Sequence, residues 1–125
     1  LHLGELDEAR THLSQCLIRA QEIGSKGIEG AFMGSLGELE MQCGRLPAAL
    51  DALETGERLL RESGVPLELA KLLCRRAQLH VVTNEIEQAE NVLNEVERIG
   101  QQLGLEPNTR IIQKVQQIRA KIRGT

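Results

Sequence analysis

The chain contains no tryptophan and no tyrosine, and Phe32 is the single aromatic residue among its 125. Because strands draw on aromatic and β-branched side chains, this composition argues against an all-β fold. It also argues against a nucleic-acid reader, since bases stack on aromatic rings and phosphates require an excess of basic charge, whereas the net charge here is −3. A charged fraction of 26% and abundant leucine instead indicate a helical, water-soluble protein.

Long apolar runs are missing too. No stretch approaches the roughly 18 residues that span a bilayer, and no signal-peptide pattern opens the chain. The cysteines Cys16, Cys43 and Cys74 are odd in number, which is typical of free thiols in a reducing compartment. We therefore expect a cytoplasmic protein without membrane contact. The chain begins with Leu rather than Met, which suggests a piece of a longer polypeptide.

Self-similarity at a period of 40 residues is the strongest signal in the sequence. Five columns stand in register: Ala9, Ala49 and Ala89; Leu13, Leu53 and Leu93; Gly24, Gly64 and Gly104; Gly4, Gly44 and Asn84; and Leu6, Leu46 and Ile86. Repeats of this length are typical of solenoids, in which each helical hairpin buries its apolar face on its neighbours.

The columns also predict where helices begin and end. Gly or Asn at 4, 44 and 84 suits the left-handed residue between two helices, and the glycines at 24, 64 and 104 end the helices that follow. We predict six helices, at 5–23, 26–43, 45–63, 66–83, 85–103 and 108–123. The short connections make sequential helices antiparallel neighbours.

Two stretches resemble the consensus of the tetratricopeptide repeat (TPR) family. The first is Met33, Leu36-Gly37, Glu40, Ala49 and Leu53, and the second is Leu73, Arg76-Ala77, His80, Ala89 and Leu93. Glu40 and His80 replace the aromatic residue of the family pattern. The 40-residue length is similar to the longer TPR variety in regulatory tails of bacterial signalling ATPases, kinases and cyclases. The resemblance implies an all-α fold, a right-handed superhelical solenoid of antiparallel helix pairs with about six helices.

In this register the N-terminal repeat is incomplete. The single domain 1–125 consists of the second helix of a truncated repeat (1–24), full repeats at 25–64 and 65–104, and a capping helix at 105–125. We expect the array to have continued upstream and to end near Thr125. The capping helix has a polar, solvent-facing side that includes Lys114 and Arg119. The first helix carries an apolar stripe that an upstream helix would cover, and we expect this stripe to form a self-association edge: Leu6, Ala9, Leu13, Cys16, Leu17 and Ala20.

Glycine spacing in the second helix requires an explanation. Gly27, Gly30, Gly34 and Gly37 share one face, and four interior glycines cost about 3–4 kcal/mol relative to alanine. Close packing on a neighbouring helix would offset this cost. The alternative is a shallow notch for a ligand backbone, centred on Gly34.

The TPR register also places a candidate binding groove. It would be lined by Gly34, Ser35, Glu38, Gln42, Lys71, Arg75 and Gln78. Lys71 and Arg75 lie four apart and could jointly hold a carboxylate. They occupy positions where chaperone-binding TPR domains carry part of a carboxylate clamp, although Ser35 replaces the asparagine of that clamp. A solvated basic patch is the alternative interpretation.

Catalytic patterns are missing from the sequence. It contains no glycine-rich phosphate loop, no Cys-x-x-Cys and no His-Glu-x-x-His. His12 and Cys16 are four apart and could share a metal, but we favour a solvated histidine beside a core thiol that acts as a small apolar group. We expect no cofactor, no metal and no enzymatic activity.

The sequence therefore predicts a protein-interaction module, the C-terminal part of a regulatory TPR array, which binds a peptide or protein partner on its concave face. The alternative is a structural role, either homodimerisation through the N-terminal edge or docking onto another domain of the same chain.

Overall fold

The computed structural model describes residues 3–124, apart from the side chain of Leu3. The predicted domain limits at residues 1 and 125 lie outside this range. Six α-helices and no strand occur in the described chain: α1 (Leu3–Ile23), α2 (Lys26–Gln42), α3 (Leu46–Ser63), α4 (Pro66–Val82), α5 (Ile86–Leu103) and α6 (Arg110–Gly124). The prediction of an all-α fold with six helices is thereby confirmed.

Left-handed residues end the first five helices. Gly24, Gly44, Gly64 and Gly104 have φ between 67° and 77°, and Asn84, the non-glycine member, has φ 61°. At each of these ends the next amide donates to a carbonyl five residues back, as Ser25 N does to Ala20 O at 3.1 Å. This bond satisfies a carbonyl that the helix end leaves without a partner.

Gly4 does not share that role, so the turn predicted there is wrong. The helix α1 already begins at Leu3, and Gly4 lies in its first turn without a positive φ. A left-handed residue is required only where the chain leaves one helix and enters another. The last helix also starts later than predicted, at Arg110, because Thr109 bonds the Glu106 carbonyl through both its amide (3.0 Å) and its hydroxyl (2.8 Å).

The first of two compact units, Leu1–Val65, contains α1, α2 and α3. Its helices are antiparallel: Arg10 and Gln21 of α1 bond Glu40 and Glu29 of α2, in reverse order along the chain. The core of this unit is aliphatic and includes Leu6, Ala20, Leu39, Ala49, Ala52, Leu53, Leu59 and Leu60.

Glycines of α2 allow α3 to approach closely. A Cβ atom built on Gly30 would lie 2.8 Å from Leu60 Cγ and 3.1 Å from the Gly56 carbonyl, and one built on Gly37 would lie 2.6 Å from Leu53 Cδ2. Gly34 is itself buried. These contacts favour the packing explanation of the glycine face over an exposed notch.

The second compact unit, Pro66–Thr125, contains α4, α5 and α6. Helix α6 packs on both α4 and α5 and buries Ile111, Val115 and Ile118. The largest fully buried side chains of this unit are Leu72, Leu73, Leu93, Val96 and Val115. None of the helices described in residues 3–124 combines the length and the apolarity that a membrane span requires.

The glycine face gives the first testable prediction. Gly37→Ala would press a methyl group against Leu53, which is fully buried. We expect the free energy of unfolding to fall by about 1–2 kcal/mol, because overpacking exceeds the gain in helix propensity. Gly4→Ala is the matched control, since nothing lies within 4 Å of its Cβ position. Denaturant titration followed by helical circular dichroism measures both, and equal stability of the two variants would contradict the close approach.

Candidate functional site

The α2 part of the predicted groove is a row on one helix face in the first unit. Ser25 caps this helix, because its hydroxyl accepts a bond from Ile28 N at 3.2 Å. Gly34 is buried, Ser35 and Glu38 are half-buried, and Gln42 is exposed. The Ser35 hydroxyl donates weakly, at 3.5 Å, to the Ala31 carbonyl inside its own helix. Gln42 is therefore the most exposed side chain of this row.

The α4 part of the predicted groove is a polar row in the second unit. Lys71 is exposed, and Arg75 and Gln78 are half-buried. The spacing of four and three residues places all three on one side of α4. Much of the rest of the same helix is buried: Leu69, Leu73 and Ala77 lie opposite the row, and Leu72 and Leu79 flank it. The α4 row is thus a polar strip on a firmly held helix.

Lys71 already has a carboxylate neighbour. Its Nζ lies 3.2 Å from Glu68 Oε1, one helical turn earlier, and the Lys71 side chain is 47% exposed. An exposed pair of this kind contributes little to stability, so an incoming carboxylate can displace Glu68 at small cost.

Cys74 lies beside Arg75, on the buried part of α4. Burial raises the pKa of its thiol from 9.0 to about 11, and the positive charges of Lys114 on α6 and of Arg75 offset part of this shift. The thiol is therefore protonated at neutral pH and is not a nucleophile.

The predicted self-association edge on α1 is only partly exposed. Leu6 and Ala20 are 6% and 1% exposed and belong to the core of the first unit. The other four members, Ala9, Leu13, Cys16 and Leu17, are half-buried. The neighbouring Ile18 is 55% exposed. The large apolar side chains of α1 with accessible surface therefore include half-buried Leu13 and Leu17 and exposed Ile18 and Ile23.

Glu40 is a buried carboxylate whose partner the sequence reasoning missed. It is 7% exposed and accepts two bonds from Arg10 of α1, at 2.6 Å from Nη2 and 3.2 Å from Nε. Arg10 also lies 3.1 Å from Asp7 and donates to Cys43 Sγ at 3.3 Å. The bonds to Glu40 raise the pKa of Arg10. The signal was available in the sequence: a charged residue at a core position requires a partner of opposite charge.

His80 occupies the equivalent position 40 residues later and is 8% exposed. Its Nδ1 lies 3.1 Å from Glu85 Oε1, which also accepts the Thr83 hydroxyl at 2.6 Å. These two contacts, with that of Thr83 the stronger, lower the pKa of Glu85. Glu40 and His80 are therefore both buried polar groups with a charged side chain as partner.

The prediction that Arg119 lies on the solvent-facing side of α6 is wrong. Its guanidinium bonds three side chains of α5: Glu90, Asn94 at 2.8 Å, and Glu97. The three partners are spaced four and three residues apart and share one face of α5. Arg119 therefore fastens α6 to α5, and the shallow depression beside it, lined by Glu97, Gln116, Arg119 and Arg123, is occupied in part by this ion-pair network.

His12 and Cys16 lie close together on α1, with Nε2 and Sγ 3.7 Å apart. Within residues 3–124 no three side chains of His, Cys, Asp or Glu converge as a metal site would require. Comparison of the chain with protein-family models, curated proteins and solved structures finds no match.

Burial of Cys74 leads to a pH prediction. A thiol that ionises near 9.0 when unfolded and near 11 when folded contributes stability that is complete below pH 9 and is lost as the pH rises to 11. We expect the unfolding free energy to fall by up to about 1.4 kcal/mol per pH unit in this window, beyond the losses from other groups. Denaturant titrations of the wild type and of Cys74→Ala measure the difference. Parallel losses in the two proteins would contradict the prediction.

Proposed function

We propose that this chain is a non-enzymatic protein-interaction module that binds a peptide or protein segment through a polar strip on its helices. The observation that supports this most directly is the α4 row. Lys71, Arg75 and Gln78 stand on one side of a helix in which eight other residues are buried. A rigid helix that presents charged and amide side chains can bind carboxylates and backbone groups of a partner without first paying for its own ordering.

A TPR-like solenoid is the arrangement that we propose for the helices. The 40-residue period supports it, as do the evenly spaced left-handed caps and the contact of α6 with both helices of the preceding hairpin. The superhelix, its right-handedness and the setting of the chain in a larger regulatory protein rest on the resemblance to the family.

Removal of the two basic side chains tests this function. Peptides selected from a random display library on the full chain are expected to bind Lys71→Ala/Arg75→Ala about tenfold more weakly, since two charged contacts are lost. The matched control is Lys26→Ala/Arg98→Ala, which removes the same charge from exposed sites away from both rows. Fluorescence anisotropy with labelled peptides gives the affinities. Equal loss in both double variants, or selected peptides that neither variant affects, would contradict the α4 row as the binding strip.

Self-association through α1 is the second candidate function. The accessible apolar surface around Leu13, Leu17 and Ile18 favours it, because contiguous exposed apolar side chains mark interaction sites. Half-buried positions also leave room for a second helix to complete the packing.

Light scattering after size exclusion, over a series of protein concentrations, tests this second function. We expect a dimer that Leu13→Glu converts to a monomer, because a buried carboxylate without a partner opposes association. Detection by refractive index is required, since the chain lacks tryptophan and tyrosine. Circular dichroism confirms that the variant is folded. A monomer at every wild-type concentration would exclude the dimer.

A further inference from the structure

One side of α1 brings a histidine and a cysteine together at the surface of the first unit. His12 Nε2 and Cys16 Sγ lie 3.7 Å apart. The histidine is exposed and the cysteine is half-buried, so the thiol is not part of the core, as the sequence suggested it would be. The binding strip proposed on α4 does not involve this pair, which therefore requires an explanation of its own.

The separation of the two atoms is close to that of two ligands on one zinc ion. A Zn–S bond of about 2.3 Å and a Zn–N bond of about 2.0–2.1 Å that meet at a tetrahedral angle place sulfur and nitrogen about 3.5 Å apart. The separation of 3.7 Å between His12 and Cys16 exceeds this value by about 0.2 Å. Because residues four apart share one face of a helix, the backbone of α1 holds both ligands in place before any metal arrives.

Cys43 and Cys74 are placed differently. Cys43 Sγ accepts a bond of 3.3 Å from the Arg10 guanidinium, a cation that opposes the approach of a metal ion. Cys74 is 4% exposed. The surface beside His12, by contrast, is a shallow depression whose lining is polar and includes two carboxylates: Asp7, Glu8, Thr11, His12 and Gln15. Negative charge next to the pair favours a cation there.

One copy of the chain supplies half of a tetrahedral set of ligands. A structural zinc site has four protein ligands, and within residues 3–124 no third His, Cys, Asp or Glu side chain joins the pair. A twofold axis beside His12 and Cys16 would add the same two ligands from a second copy.

Charges on either side of the pair fit an antiparallel arrangement of two copies. Exposed Glu8 lies four residues before His12, and exposed Arg19 lies three residues after Cys16, on the same side of α1. When two α1 helices pair antiparallel about this point, Glu8 of each copy faces Arg19 of the other. A parallel pair would bring like charges together instead.

We propose that His12 and Cys16 of two copies bind one zinc ion through two nitrogen and two sulfur atoms, and that the ion holds the two α1 helices antiparallel. The Cys16 thiol releases its proton to solvent as the sulfur binds the metal, and His12 binds through Nε2 with its proton on Nδ1. Neither step requires an oxidant. Association through this site depends on the metal, whereas apolar association through α1 does not.

The test titrates the full chain with cobalt(II), as a spectroscopic probe for zinc, in the presence of a phosphine reductant. We expect thiolate-to-cobalt charge-transfer absorption that saturates at one cobalt ion per two chains. The near-ultraviolet background is low, because the chain lacks tryptophan and tyrosine. Light scattering after size exclusion is expected to show more dimer with zinc than with EDTA at the same protein concentration.

Variants connect the absorption and the dimer to named side chains. His12→Ala and Cys16→Ser are each expected to weaken cobalt binding by more than about tenfold, since loss of even an outer-shell partner costs about that much. Cys43→Ser is the matched control: it removes another half-buried thiol, its hydroxyl still accepts the Arg10 bond, and cobalt affinity should be unchanged. Arg19→Glu is expected to weaken the zinc-dependent dimer, and Glu8→Arg/Arg19→Glu to restore it, because the exchange returns opposite charges to facing positions.

Other outcomes would overturn the shared site. These are the absence of the cobalt absorption, saturation at one ion per chain, and equal losses in Cys16→Ser and Cys43→Ser. A dimer that EDTA leaves unchanged would assign α1 to apolar association, and a dimer that forms only without reductant would assign Cys16 to a disulfide. If the exchange of Glu8 and Arg19 does not restore the dimer, the antiparallel arrangement is refuted. Circular dichroism of each variant shows that it is folded, and peptide binding at the α4 row is measured separately, with EDTA present.

Discussion

A left-handed residue every twenty positions is the constraint on which the described helices depend. It occurs at residues 24, 44, 64, 84 and 104, and at each one the following amide bonds the carbonyl five residues back. Those five acceptor residues are all buried: Ala20, Glu40, Leu60, His80 and Gly100. Because the cap fixes both the end of each helix and the inward direction of its last turn, it sets helix length and core register together.

The same constraint explains the two buried polar residues. Glu40 and His80 stand at cap-acceptor positions that must face inward, so each requires a polar partner. Glu40 obtains it from the preceding helix through Arg10, whereas His80 obtains it from the turn that follows through Glu85. An aromatic residue would fill this place by packing alone. Here the polar group at this place is bonded by a charged partner instead. The Glu40–Arg10 pair joins α2 to α1 in the first unit, and the His80–Glu85 pair links the end of α4 to the turn before α5 in the second.

Features set by residues close together in the sequence could be predicted, whereas contacts between helices could not. The helices and their caps follow from apolar periodicity and from glycine, which act within a few residues, so all six helices were predictable to within two residues at either end. Gly4 shows the limit, since the same residue type is compatible with a helix interior. Contacts between helices were less predictable: Arg119 has the spacing of a solvent-facing residue, but its length carries the guanidinium across to α5. The partners of the candidate binding residues depend on such contacts, so they could not be predicted from residue type and spacing alone.

The even spacing of the caps also bears on how this chain can change in length during evolution. A single inserted residue would rotate everything beyond it by about 100° and would displace the next cap by about 1.5 Å along the helix axis. Within α2 or α3 such a shift would carry Gly30 or Gly37 away from its neighbour and bring a larger side chain to the contact. Insertions and deletions should therefore accumulate in the segment 105–109, where the twenty-residue spacing ends before Arg110 begins a new helix.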